Sequence, residues 1–220
     1  MPSSLPARNL FVTGGTGYLG RRLIRALTGR AHTVRALVRP GSESKLPPAV
    51  QSVRGDALHG VSYAAQVAPA DTFVHLVGVS HPSPRKAQEF LRVDLASVQA
   101  AVAAASAAGV GHFIYVSVAH PAPTMRAYVA ARMQGERILR ESGLPATILR
   151  PWYVLGPGHW WPVLLLPGYW AAELLPGSRE TARRLGLVTV GQMIRALVHA
   201  VEEPVAGLRI LDVPHIRRIP

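Results

Sequence analysis

Short apolar runs alternate with amphipathic stretches along most of this chain. The run from Thr72 to Val77 is almost wholly apolar, which is typical of a strand buried in a parallel sheet. The pattern predicts strands at Asn9 to Val12, Thr33 to Val38, Gln51 to Arg54, Thr72 to Val77, His112 to Val116, Thr147 to Leu149 and Arg209 to Val213. Their alternation with helices favours an α/β fold, a doubly wound parallel sheet with helices on both faces.

The amphipathic stretches between these runs predict the helices. They lie after the first strand (Leu19, Leu23, Ile24 and Leu27 on one face), from Arg85 to Ala108, from Thr124 to Ser142, and after the capping box Thr189-Val190-Gly191-Gln192. Glycines follow the two longest helices, as is common at helix ends. We expect residues 1–220 to form one domain.

A turn with regularly spaced glycines joins the first strand to the first helix. Gly14 permits a tight turn, Gly17 lets the backbone approach a pyrophosphate, and Gly20 lets the helix pack closely. The helix amino terminus then offers N–H groups and a positive dipole end to phosphates. Because the triplet stands at the first strand-to-helix junction of an alternating pattern, it predicts a dinucleotide-binding domain.

The end of the second predicted strand bears on which dinucleotide binds. An acidic residue there would hold the ribose 2′-hydroxyl, but the position carries Arg39, with Arg35, Ser42 and Lys45 nearby. A cation suits a 2′-phosphate, so NADP(H) is favoured over NAD(H). The alternative is a solvated arginine at a strand end.

Two further residues each have two interpretations. Asp56, after the third strand, can accept a hydrogen bond from the adenine amino group or cap the next helix. His75, inside the fourth strand, is interpreted as a hydrogen-bonded core histidine in preference to a catalytic one. Gly78 follows that strand, where the backbone must pass close to the cofactor.

The amino-acid composition of the chain changes at Pro151. Residues 151–188 contain every tryptophan of the chain among frequent prolines and glycines. Because proline and glycine interrupt the apolar run from Trp160 to Leu175, it is not a regular spanning helix. We interpret the segment as a flap or small apolar lobe on the substrate side of the sheet. A dimer interface and a membrane-surface patch are the alternatives.

Composition narrows the classes of site and partner. The chain contains no cysteine, which excludes a thiol nucleophile and a thiolate metal site. No metal is expected. The net charge of +12 suits an anionic ligand, but the basic residues are scattered arginines and nucleic-acid binding is disfavoured. Neither an apolar leader nor a transmembrane span is expected, so the cytoplasm is the expected location.

Several motifs resemble the short-chain dehydrogenase/reductase superfamily, in its extended and atypical NAD(P)H-binding branches. They are Thr13 to Gly20 (a TGxxGxxG loop), Gly55-Asp56, Asp71 to Gly78, Ala107 to Ser117 and Leu149 to Gly158. The resemblance covers the whole chain and implies a Rossmann fold. Motifs and resemblance together assign the cofactor to Gly14, Thr16, Gly17, Tyr18, Leu19, Gly20, Arg39, Asp56, Ala57, Val77, Gly78, Val116, Tyr128, Arg132, Pro151, Tyr153 and Val154.

The catalytic motif departs from the family pattern. The resemblance aligns Tyr128 with the family's tyrosine, but Arg132 stands where the family has lysine, and Asp94 stands near a common asparagine. Spacing of four places Tyr128 and Arg132 on one helix face. A nearby cation lowers the pKa of a tyrosine, yet arginine does not deprotonate and relays protons poorly. Ser117 is the candidate for orienting substrate, although the usual hydroxyl aligns nearer Ala119.

Two functions fit these residues. The first is an NADP(H)-dependent oxidoreductase that passes hydride to or from a small apolar carbonyl, enone or quinone-like substrate. The second is a non-catalytic NADP(H)-binding redox sensor or assembly factor, in which Tyr128 and Arg132 form a helix pair without chemistry. Peripheral membrane contact and a homodimer are compatible with either.

Overall fold

The computed structural model describes residues 6–48, 50–158, 160, 163–164, 177 and 179–220. The strands are β1 (Asn9–Thr13), β2 (Thr33–Val38), β3 (Gln51–Arg54), β4 (Thr72–His75), β5 (His112–Val116), β6 (Ala146–Arg150), β7 (Tyr153–Leu155), β8 (Leu187–Thr189) and β9 (Leu208–Asp212). The α-helices are α1 (Tyr18–Thr28), α2 (Ala87–Glu89), α3 (Ala96–Ala107), α4 (Arg126–Glu141), α5 (Arg179–Arg184), α6 (Val190–Glu202) and α7 (Val213–Arg218). Short 3₁₀ helices lie at Glu43–Lys45, Gly60–Ser62, Ala64–Gln66 and Pro84–Lys86, and a π-helical turn lies at Phe90–Leu95.

Seven strands form one parallel sheet in the order β3-β2-β1-β4-β5-β6-β9. The predicted doubly wound parallel sheet is therefore confirmed. The strand order reverses between β1 and β4, and in such sheets ligands bind at the carboxyl ends of the strands beside that reversal. A separate parallel pair joins β7 to β8 and was not expected from the sequence.

Helices cover both faces of the sheet. Alternate residues of a strand point to opposite faces, so Val12 packs with α1 and α6 while Phe11 packs with α3 and α4. On the second face the rings of Phe11, Phe73 and Phe113 lie side by side, with centroids 5.3 and 5.1 Å apart.

Several predicted boundaries differ from those observed. The fourth strand ends at His75 and not at Val77, because the chain leaves the sheet after the amide of Leu76 donates to Thr13. The last strand runs Leu208–Asp212, and the Asp212 carboxylate then accepts from the amide of His215 and caps α7. Part of the predicted flap, at 159, 161–162, 165–176 and 178, lies outside the described residues.

The long helix predicted from Arg85 to Ala108 is a composite run, Pro84–Ala107, that includes the π-helical turn. Among the described residues it is the one helical run that is long and apolar enough to span a membrane. Of its most apolar stretch, 44% is buried within the protein. Val98, Ala101 and Ala105 pack on the sheet beside Phe73, which accounts for the apolar composition.

The junction of β1 and α1 is built on very close backbone contacts. Gly14 has φ +76°, and a Cβ there would lie 2.8 Å from the carbonyl carbon of Leu76. A Cβ on Gly20 would lie 2.3 Å from the Gly14 oxygen and 2.7 Å from the Gly15 Cα. Gly20 therefore lets α1 pack against the loop itself, and Gly17 caps the helix.

Replacing Gly20 with alanine should displace α1 from this loop. We expect Gly20→Ala to lower the free energy of unfolding by about 1–3 kcal/mol, the usual effect of overpacking, measured by urea denaturation. The matched control is Gly111→Ala, where the nearest contact of a new Cβ is 3.6 Å. Equal stability of the two variants would contradict the packing role assigned to Gly20.

Candidate active site

A first cleft of about 380 Å³ lies where β1 to β4 end, beside the amino terminus of α1. It collects eight of the residues predicted to hold a cofactor: Gly14, Thr16, Gly17, Arg39, Asp56, Ala57, Val77 and Gly78. Backbone N–H groups at a helix start have no partner within the helix and attract anions. The first cleft therefore has the shape and polarity for the adenosine and pyrophosphate of a dinucleotide.

Arg35, within β2, and Arg39, directly after it, have different surroundings. Arg39 is exposed and lines the first cleft together with Ser42. Arg35 instead donates hydrogen bonds of 2.7–2.8 Å to the carbonyls of Gln66, Val67 and Ala68. Arg35 is thus a structural clamp and does not add to a phosphate site, contrary to the expectation that it would help Arg39.

Asp56 uses its carboxylate locally. One oxygen accepts from the amide of Leu58 at 3.0 Å and the other lies 3.1 Å from His59 Nδ1. The bond from Leu58 is the main reason that the pKa of Asp56 is lowered. The side chain closes a turn rather than capping a helix, while the residue still lines the first cleft.

A second cleft of about 210 Å³ continues from the first, since Leu76 and Gly78 line both. Its other walls are Leu19, Val79, Val116, Ser117, Val118, Tyr128, Arg132, Pro151, Trp152 and Val154. The second cleft brings together the predicted catalytic residues Tyr128, Arg132 and Ser117 with five further predicted cofactor residues, Leu19, Gly78, Val116, Pro151 and Val154. It has the position of a site for the reactive end of a dinucleotide.

Arg132 is held firmly at the base of this second cleft. Its guanidinium donates to the Val116 carbonyl at 2.9 Å and pairs with the Asp94 carboxylate at 2.5 Å. It also lies 5.3 Å from the ring centroid of Tyr128 and 5.7 Å from that of Tyr115. Tyr128 itself is half-buried, with Phe90 against its ring at 5.1 Å.

The charges at this base are fixed by their mutual contacts. Burial disfavours a charged guanidinium, but Tyr128, Tyr115 and Asp94 outweigh it and raise the pKa of Arg132. Burial also raises the pKa of Asp94, against the opposing pull of Arg132. Arg132 is therefore a permanent cation beside Tyr128.

Ser117 connects the second cleft to a buried carboxylate behind it. Its own hydroxyl is buried and lies close to Glu136, whose side chain is fully buried. Glu136 accepts from Arg150 through both carboxylate oxygens, from Arg140 at 3.0 Å, and lies 3.3 Å from His120. Burial alone would raise the pKa of Glu136, but its hydrogen bonds lower it to about 2.

An apolar cavity of about 480 Å³ adjoins the second cleft. Val118, Tyr128, Trp152 and Val154 line both spaces. The remaining wall of the apolar cavity is His81, Pro82, Ser83, Pro84, Met125 and Tyr153. Tyr128 therefore stands at the junction between the second cleft and a space suited to an apolar molecule.

Residues 14–156 match a family of NAD(P)H-binding proteins. This chain belongs to that family, within the short-chain dehydrogenase/reductase superfamily. The matched region contains the glycine loop, Tyr128 and Arg132. An NAD(P)H-binding oxidoreductase family is thus established, as the motifs indicated.

Similar proteins include reductases of several bacteria. The chain is 31% identical to a ceramide reductase of Caulobacter vibrioides over 94% of this chain and 64% of that protein. It is 29% identical to a 4-hydroxy-2-methyl-3-oxo-4-farnesyl-3,4-dihydroquinoline-1-oxide ketoreductase of Stigmatella aurantiaca over 66% of this chain and 50% of the relative. It thus spans less than two thirds of the length of either protein.

Solved structures share the fold. The Bordetella bronchiseptica enzyme WbmH, in complex with NAD⁺, superposes with a TM-score of 0.70 at 22% identity, over 92% of this chain and 75% of that one. A UDP-glucuronic acid 4-epimerase of Bacillus cereus, in complex with NAD, gives 0.67 at 19% identity, over 93% and 77%.

The residues of this reductase-family chain fit the cofactor. The loop at Gly14 has no room for a Cβ, the helix start of α1 faces the first cleft, and the two clefts join at Gly78. Three predicted cofactor residues lie off these walls, and one of them, Tyr153, lines only the apolar cavity. Gly20 packs on the loop, and the Tyr18 hydroxyl packs against Gly156, with Arg22 stacked on its ring at 4.1 Å.

His75 is a core residue, as interpreted from the sequence. Its Nδ1 lies 2.8 Å from the Thr13 hydroxyl and its Nε2 lies 3.3 Å from Ser97 Oγ. Burial, helped by the charge of Arg132, lowers the pKa of His75 to about 3. A neutral ring that joins β4 to β1 and α3 has a structural role.

Glu136 and its partners were not predicted from the sequence. One signal was available, because Tyr128, Arg132 and Glu136 recur every four residues along α4 and so share a helix face. The partners Arg150 and His120 come from other segments and carry no local signal.

Removing the charge of Glu136 should destabilise the protein. We expect Glu136→Gln to cost about 3 kcal/mol at pH 7, because it leaves the partly buried Arg150 guanidinium without its anion. This stabilisation is complete above pH 4.5, the ordinary value for glutamate, and is lost as the pH falls through about 2. Urea denaturation at pH 7 and at pH 3.5 should show a smaller difference at the lower pH.

The control for this comparison is Glu141→Gln, at the exposed end of α4. A Glu136→Gln variant as stable as Glu141→Gln at pH 7 would contradict the network described here.

Proposed function

We propose that this protein is an NADP(H)-dependent oxidoreductase that reduces the carbonyl group of an apolar ketone, enone or quinone-like substrate. The observation that carries the proposal is the position of Tyr128, which lines both the second cleft and the apolar cavity. A substrate in the apolar cavity can therefore present its oxygen to Tyr128 while its carbon faces the second cleft. The names of the relatives support an apolar substrate, since one reduces ceramide and another a farnesylated quinoline ketone.

The chain's own residues divide the work. When bound, NADPH supplies the hydride. Tyr128 donates its phenolic proton to the substrate oxygen, and Arg132 keeps a positive charge beside the phenol without giving up a proton itself. Val118, Trp152 and Val154 exclude water from the reacting carbonyl, which strengthens the interactions of nearby charges.

Ser117 and residues 151–188 complete the proposed arrangement. Ser117 and Val118 line the second cleft together with Trp152. Trp152 and Tyr153, at the start of 151–188, already line the apolar cavity. We infer that this segment forms the substrate-side flap of a single domain.

Arg39 should set the preference for the phosphorylated dinucleotide. Arg39→Ser should weaken NADPH binding about 10- to 100-fold and leave NADH binding nearly unchanged, because one charge-assisted hydrogen bond contributes about 1.5–3 kcal/mol. Quenching of protein fluorescence during titration gives both dissociation constants. The control is Arg54→Ser, which removes an exposed charge paired with Glu43 that does not line the cleft. Equal loss in the two variants would refute a phosphate contact by Arg39.

Tyr128→Phe should abolish turnover and spare cofactor binding. We expect the rate of NADPH oxidation with long-chain 3-oxo esters, steroid ketones or quinones to fall at least about 100-fold, since a general acid contributes that much. Tyr63→Phe is the matched control, because Tyr63 also loses only a hydroxyl and lines neither cleft nor the apolar cavity. Undiminished turnover in Tyr128→Phe would exclude the mechanism, and tight binding without turnover by the unmodified protein would favour the sensor.

A further inference from the structure

Arg132 and Asp94 form a buried ion pair that is anchored at both ends. The exposed fraction is 7% for the Arg132 side chain and 0% for that of Asp94. The guanidinium is tied to the Val116 carbonyl, and Asp94 Oδ2 accepts from the amide of Val79 at 3.2 Å. A buried charge is costly without a partner, so each member of the pair determines where the other can lie.

The pair fills a notch at Gly78. A Cβ added to Gly78 would lie 2.1 Å from an Arg132 guanidinium nitrogen and 3.1 Å from Asp94 Oδ1. Gly78 is also a wall of both the first and the second cleft. The guanidinium is thus seated against bare backbone at the point where a bound dinucleotide must pass from one cleft to the other.

The π-helical turn is the element that presents Asp94. Among Phe90–Leu95 the buried residues are Phe90, Asp94 and Leu95. Phe90 contacts the Tyr128 ring, so the same turn that supports Tyr128 also carries the anion of Arg132. Such turns are frequent at functional sites.

We propose that Asp94 is a positioning residue of this active site: its carboxylate holds the Arg132 guanidinium in the Gly78 notch, so that a permanent cation faces Tyr128. The proposal rests on the proposed function. Asp94 does not touch the substrate and acts through Arg132.

The charged and titratable groups around Tyr128 determine the direction in which loss of Asp94 should shift the ionisation of the phenol. Arg132 comes from its own helix, Asp94 from the π-helical turn, Tyr115 from β5, and His81 from the wall of the apolar cavity. If Asp94 holds Arg132 in place, its loss releases the cation and the Tyr128 phenol ionises at higher pH. If Arg132 stays without Asp94, loss of the anion has the opposite effect.

Asp94→Asn is the first variant, because it removes the charge and keeps the shape. We expect kcat for reduction to fall about tenfold or more, with the Kd for NADPH changed less than threefold. Reduction needs the protonated phenol, so the alkaline midpoint of the pH–rate profile should move to higher pH. A midpoint that moves to lower pH, or an unchanged kcat, overturns the proposal. Glu89→Gln, an exposed acid on the same helical run, is the control and should change nothing.

A double-mutant cycle keeps the test independent of folding defects. The cycle adds two variants, Arg132→Met and the double variant Asp94→Asn/Arg132→Met, and both lack the cation. Arg132→Met leaves Asp94 as an unpaired buried charge, whereas the double variant has no charge at either position. If Asp94 acts through Arg132, adding Asp94→Asn to Arg132→Met leaves kcat unchanged within twofold. A further tenfold loss in the double variant would assign Asp94 a separate role and overturn the proposal.

A spectroscopic titration separates this inference from the proposed function. Phenolate absorbance of the cofactor-free protein is recorded against pH, and the Tyr128→Phe signal is subtracted to isolate Tyr128. The Tyr128 midpoint should rise in Asp94→Asn. A rise in a protein that reduces none of the ketones upholds the positioning role and refutes the enzyme; a fall or no change, in a protein that does reduce them, refutes the positioning role alone.

Discussion

The first helix can lie against its own leading loop only because Gly20 has no side chain, and that loop can lie against the backbone of Leu76 only because Gly14 has none. The approach is so close that a methyl group on Gly20 would overlap the Gly14 oxygen. This contact fixes the amino terminus of α1 at the end of β1, beside the reversal in strand order. The first cleft, the passage at Gly78 and the second cleft all take their positions from that arrangement.

Along one face of α4, three side chains become progressively more buried. Tyr128 is half-buried at the junction of the second cleft with the apolar cavity, Arg132 is buried one turn further along, and Glu136 is fully buried one turn beyond. Each charge on this face meets its opposite from another element: Arg132 meets Asp94, and Glu136 meets Arg150. The regular spacing of four thereby places side chains from the wall of the apolar cavity to the core.

The features that could be predicted from the sequence depend on residues close together along the chain. Those that could not be predicted depend on contacts between residues far apart in the sequence. Glycine spacing and alternating periodicity anticipated the parallel sheet and the first cleft, because they depend on neighbouring residues. The clamp of Arg35 on residues 66–68 and the Glu136–Arg150 pair could not be predicted, since only the tertiary fold joins them. The β7–β8 pair consists of three-residue strands, which are too short to show a period.

The positive field outside the molecule does not come from the buried ion pairs. The Arg132–Asp94 and Arg150–Glu136 pairs are internally neutral, so the net charge of +12 is carried by groups nearer the surface. Each pair withdraws one arginine together with one carboxylate, so the excess of positive charge among the outer groups is unchanged. A polyanion such as a dinucleotide is then drawn toward the protein over a Debye length, and its rate of capture falls as ionic strength rises.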